Sequence, residues 1–199
     1  MSATQVLLVA FVVWIAIGLT AAVVMGRRGH AAFTWLVVGA VLGPLSIPVA
    51  IRSVRAGGEV APRELRAPTP GGGTIDVLVG IDGSDASHAA LERSIELIGD
   101  RVGRLVLATV LDVETASTGG PERREREAEL EGLASGKTGG AAGVVVLAGR
   151  PADTLRAYAA EHGFELLVVG RRGRGASKAI LGSTASALSE RSDVPLLIP

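Results

Sequence analysis

A chain of 199 residues with 20 Lys and Arg against 20 Asp and Glu carries no net charge, which removes the field that would draw in nucleic acid or an anionic surface. It has no cysteine, so thiolate metal sites, disulfides and thiol nucleophiles are excluded. Hydrophobic residues make up 48% and aromatic ones only 3%, too apolar for a soluble domain alone; this points to a domain of roughly 100 to 150 residues plus a part that sits in lipid.

Residues 6–25, VLLVAFVVWIAIGLTAAVVM, and 31–51, AAFTWLVVGAVLGPLSIPVAI, contain no charge. At about 1.5 Å per residue, some 20 residues of helix cross the roughly 30 Å hydrocarbon layer, so both are expected in the membrane, 6–25 as a transmembrane helix. A cleaved signal peptide is the rival for the first, but residues 1–5 hold no basic residue and the apolar run exceeds the usual length. Pro44 and Pro48 interrupt the second segment, which leaves two readings for it, a crossing or a re-entrant loop. The larger basic cluster, Arg52, Arg55, Arg63 and Arg66, follows it, and the positive-inside rule then puts the C-terminal domain in the cytoplasm, at the cell membrane. Residues 52–73 lack apolar periodicity and are rich in Gly, Pro and Arg, which is linker chemistry. The expected division is a membrane region 1–51, a linker 52–73 and a globular domain 74–199.

In that domain short apolar runs of the kind buried on both faces recur at 75–81, 105–111, 144–148, 165–169 and 194–198. Helical stretches separate them. One opens at Ser84, a plausible N-cap, with Leu91, Ile95 and Ile98 on one face. One covers 121–133, PERREREAELEGL, whose charge run reads as a solvated face. One opens at Pro151, places Leu155 and Tyr158 on one stripe and stops at Gly163; the last occupies 182–192. Alternating strands and helices make an α/β fold, a five-stranded parallel sheet with helices on both faces. Ligands of such sheets bind beyond the carboxyl ends of the strands.

Two loops in that position carry the chemistry. Asp82-Gly83-Ser84 follows the first strand, and GRRGRGASKAILGST, 170–184, follows the fourth. Gly170, Gly173 and Gly175 let backbone amides approach a phosphate. Gly182, Ser183 and Thr184 open a helix whose free amides and dipole suit an anion, and Arg171, Arg172, Arg174 and Lys178 balance phosphate charge. Taken alone the glycine loop is equally a structural turn; its place after a strand and its pairing with Asp82 favour the phosphate reading. No Walker P-loop is present. His30, His88 and His162 lie far apart and read as surface or capping residues. Ser183 has no histidine after it and no nucleophile elbow around it. No catalytic residue and no metal site is expected, and Asp82 is read as a ligand-binding carboxylate.

These residues resemble the ATP-binding subgroup of the universal stress proteins. Asp82, Gly83 and Ser84 match the close of that family's first strand; Gly170, Gly173, Gly182 and Ser183 match its glycine signature, with eight residues, 174–181, where the family usually has nine. The resemblance covers 74–199 and leaves 1–73 unexplained. It implies a Rossmann-like fold of the adenine nucleotide alpha hydrolase kind and ATP, with or without Mg, as ligand. Asp82 and the backbone of Gly80 and Ile81 would hold the adenosine side, Val110 and Val169 would line the adenine pocket, and Gly170, Gly173, Gly182, Ser183 and Thr184 would take the ribose and phosphates. The resemblance also implies a homodimer joined through the last strand, from Val194 to Ile198, with Pro195 limiting further pairing. The expected protein is a membrane-tethered, ATP-binding stress regulator that reports to an unidentified regulated protein through binding rather than turnover. Two alternatives stay open, a slow ATPase or phosphotransferase and an interaction module that has lost nucleotide binding.

Overall fold

The computed structural model describes residues 61–173 and 181–199, together with residues 5, 14–16, 20 and 37, which are helical. Apart from those few positions, the apolar segments 6–25 and 31–51 lie outside the described residues, as do residues 52–60. Among the described residues no helix is long and apolar enough to cross a membrane.

Six strands form one sheet, in the order β1-β4-β3-β2-β5-β6. They are β1 (Arg63–Arg66), β2 (Ile75–Gly80), β3 (Val102–Leu111), β4 (Gly143–Ala148), β5 (Leu166–Val169) and β6 (Leu196–Leu197). All five expected strands are present and mutually parallel. The expected count of five is corrected to six by β1, which lies in the stretch of linker composition and runs antiparallel to β4. Its sequence, Arg-Glu-Leu-Arg, offers one apolar side chain and so no period-2 signal. Leu65 packs against the buried residues around Val144 and Val146 on one face of β4, while Arg66 pairs with Glu131 at 2.5 Å and Arg63 with Glu127 at 3.5 Å. The β4 edge is thereby covered.

Five helices flank the sheet, α1 (Asp85–Ile98), α2 (Val113–Thr118), α3 (Pro121–Thr138), α4 (Pro151–Glu161) and α5 (Ser183–Arg191). Period-2 alternation splits the core in two. Leu78, Val106, Val145 and Leu167 pack beneath α4 and α5 through Leu155, Tyr158 and Leu188. Val77, Val79, Leu107 and Val144 pack on the opposite face beneath α1 and α3 through Leu91 and Leu130. Ser84 caps α1 as expected, its side chain accepting from the Ser87 N–H. Helix α2 was not expected; its start is set by Asp112, whose carboxylate accepts from the Thr115 N–H at 2.9 Å. Helix α3 runs on to Thr138, past the expected end, because Leu130 and Ala134 bury fully. Its charge run is not simply a solvated face, since the Arg123 and Arg126 side chains are only 14% and 11% exposed.

Candidate functional site

Strands β2 and β5 lie side by side, yet the chain leaves β2 toward β3 and reaches β5 only after β4. Their carboxyl ends therefore mark the point where neighbouring connections diverge, the usual place for a ligand in an open α/β sheet. A crevice of about 140 Å³ opens there. Its apolar wall is Ala108 and Val110 of β3, Val169 of β5, and Pro151 and Leu155 of α4. The floor is Gly80 and Ile81. A Cβ on Gly80 would stand 3.0 Å from Leu155 Cδ1 and 3.2 Å from Val169 Cγ1, so only glycine leaves these two side chains in place.

The turn after β2 is held on one side by Ser84 and Ser87. Asp82 Oδ1 accepts from the Ser84 N–H at 3.1 Å and from the Ser84 hydroxyl at 2.6 Å. The same hydroxyl oxygen accepts from the Ser87 N–H at 3.2 Å and stands 3.3 Å from the Arg172 carbonyl oxygen. Having one proton, it gives that proton to the carboxylate, where the bond is charge-assisted and shorter; the Arg172 contact is secondary. Gly83 adopts φ 75°, the left-handed region that disfavours a side chain. Ser87, only 2% exposed, also lines the crevice and was not anticipated. Its hydroxyl donates to the Ser84 carbonyl at 2.8 Å and accepts from the Asp82 N–H at 3.4 Å. Its position three residues after a cap was its sole signal in the sequence.

The second loop folds directly onto the first. A Cβ on Gly170 would come within 2.7 Å of the Ala86 carbonyl carbon and 2.8 Å of the Ser87 nitrogen, so this loop meets α1 backbone to backbone. A Cβ on Gly173 would stand 2.7 Å from Asp82 Oδ2, the carboxylate oxygen not bonded to Ser84. Gly182 lies against Arg172 and Gly173, and its N–H donates to the Arg171 carbonyl at 2.8 Å. Gly173 and Gly182 are thus held beside each other across the eight-residue spacing. The Gly182 amide is used within the loop, so its contribution is close approach rather than a free donor. Residues 174–180, with Arg174, Gly175 and Lys178, lie outside the described residues.

Helix α5 starts with no side-chain cap. The N–H groups of Ser183 and Thr184 at its first two positions have no acceptor within the helix, and both residues line the crevice with Arg172. The residues expected to hold the nucleotide line the crevice except Ser84, which bonds to Asp82; of the described arginines expected to balance phosphate charge, Arg172 lines it and Arg171 does not. Asp82 is the one carboxylate among the described lining residues. No group of three or more His, Asp or Glu able to share a metal ion occurs among the described residues. The arrangement suits a flat apolar ring joined to an anionic tail.

The profile of the Universal stress protein family matches residues 76–198. Universal stress protein YxiE of Bacillus subtilis (strain 168) is 32% identical over 142 residues, 61% of this chain and 96% of that protein. Universal stress protein UspA from Lactobacillus plantarum superposes with a TM-score of 0.53 at 18% identity, over 63% of this chain and 97% of its own. A universal stress protein crystallised in complex with cAMP is 30% identical at a TM-score of 0.46, over 62% of this chain and 94% of its own.

Proposed function

Because the chain belongs to the universal stress protein family, we propose that its crevice binds an adenine nucleotide, ATP, and that binding rather than turnover is its work. The observation that supports this is the meeting of Asp82, Gly173 and the uncapped start of α5 in one crevice at the carboxyl ends of β2 and β5. The adenine lies against Val110 and Val169, over the bare backbone at Gly80 and Ile81. Asp82 takes the ribose side through Oδ2. The phosphates rest on the N–H groups of Ser183 and Thr184, where the helix end favours negative charge, and Arg172 balances them. The crevice volume of about 140 Å³ is below the roughly 300 Å³ at which pockets for whole small molecules begin. It encloses the base and leaves the phosphates at the rim, where those donors stand.

In this reading residues 6–25 and 31–51 tether the domain to the membrane, with the domain on the cytoplasmic side. The outer edge of β6 joins two copies, and nucleotide occupancy is relayed to a regulated protein. Native mass spectrometry of the purified full chain tests the ligand: a bound adenine nucleotide is expected, and a chain that carries none and takes up none contradicts it. One observation favours a second reading, an interaction module without nucleotide: the Gly182 N–H is bonded to Arg171 and removes one phosphate donor. Dimers that take up no adenine nucleotide would select that reading.

A further inference from the structure

The charged stripe of α3 is not used by the crevice, yet it reaches the turn that holds Asp82. Arg126 Nη1 donates to Glu129 Oε2 at 2.8 Å, and Glu129 Oε1 stands 3.2 Å from His88 Nε2 on α1. This ion pair is packed directly on Gly83. A Cβ added there would lie 2.8 and 2.9 Å from the two Glu129 oxygens and closer still to Arg126 Nη1. Neither residue lines the crevice. Helix α3 packs on the α1 face of the sheet, while the crevice wall is formed by α4 on the other. The pair therefore stands against the Asp82 turn on the α1 side, outside the residues that line the crevice.

We propose that Arg126 and Glu129 are positioning residues for nucleotide binding, a buttress that holds the Gly83 turn and so fixes the Asp82 carboxylate toward the crevice. Three features support it. Gly83 at φ 75° is the least constrained residue of the turn, with neither side chain nor helical bond to hold it. Asp82 is anchored on one side only, through Oδ1 and its N–H to Ser84 and Ser87, so the far side of the turn depends on what packs there. Because Glu129 offsets the Arg126 charge, the effect is one of place rather than of field. A half-buried Arg costs more to desolvate than an exposed one, and its carboxylate partner keeps that cost down.

The proposal rests on the adenine-nucleotide reading of the crevice, and its test separates the two. In the full chain, Arg126→Met keeps the apolar stem and removes the guanidinium; ATP affinity should fall about tenfold, the loss of one charged contact. In an Asp82→Asn background the same change should alter affinity less than about twofold, because both act on one group. Hydrogen exchange at the Ser84 N–H, which donates to Asp82, should quicken in Arg126→Met with or without nucleotide, while exchange along β3 stays as in the parent. If Arg126→Met does not fold, Glu129→Gln takes its place with the same expectations. An Arg126 or Glu129 variant that is folded, binds ATP like the parent and leaves Ser84 exchange unchanged overturns the proposal alone, as does a loss that multiplies independently with Asp82→Asn. A parent that binds no adenine nucleotide overturns the proposal together with the reading beneath it.

Discussion

Asp82 and Gly173, 91 positions apart in the chain, are in contact: Asp82 Oδ2 lies 2.7 Å from where a Cβ on Gly173 would sit. One loop brings the acid and the other brings the absence of a side chain. Gly173→Ala therefore forces the carboxylate aside while its Oδ1 is still held by Ser84. Isothermal titration should show ATP affinity reduced about tenfold, with unfolding free energy changed by less than about 1 kcal/mol, because the loop is at the surface.

Gly170 has a different role, and its substitution has a different signature. An added Cβ meets backbone atoms of Ala86 and Ser87 at 2.7 to 2.8 Å, and a capped helix start cannot shift cheaply to make room. Gly170→Ala should lower stability by about 1–3 kcal/mol, the range for overpacking, as measured by urea unfolding.

Ser84 serves both α1 and Asp82. Ser84→Ala removes the helix cap, which costs about 1 kcal/mol in thermal or chemical unfolding. It also strips the carboxylate of its 2.6 Å donor, so ATP affinity should fall beyond what the stability change explains.

Tyr158, 6% exposed, has its phenol held above the ordinary value of 10.0, first by burial and then by the Glu64 carboxylate, with Arg104 opposing. The folded protein then keeps this proton at a pH where the unfolded chain has released it. The stabilisation is fully present below pH 10.0 and is lost as pH rises from there through the folded value. Since the chain has one tyrosine, phenolate absorbance reports on this residue alone. Its titration midpoint should lie above that of the urea-unfolded chain, and Tyr158→Phe should flatten the alkaline fall in stability.

Much of this was legible in the sequence. Strands buried on both faces announce themselves as apolar runs, and both loops that line the crevice were located because each follows one. Strand β1 was not legible, because it is defined by the β4 edge it pairs with and contributes one apolar residue, Leu65. The depth of Arg123 and Arg126 was hidden for a related reason. A charge run looks the same whether it faces water or a distant part of the fold; Arg126 is covered by the turn at Gly83, and Arg123 by α2, where it donates to the Ala116 carbonyl. The Gly182 amide was expected to face a phosphate; its bond to Arg171 depends on how the loop closes on itself, which spacing does not encode.

The most direct measurement is an equilibrium titration of the full chain with ATP, repeated for Asp82→Ala. The account predicts saturable binding of one nucleotide per chain that is lost or weakened at least about tenfold in the variant while its fold persists. A well-folded parent that takes up no adenine nucleotide, or an Asp82→Ala variant that binds as the parent does, would contradict it.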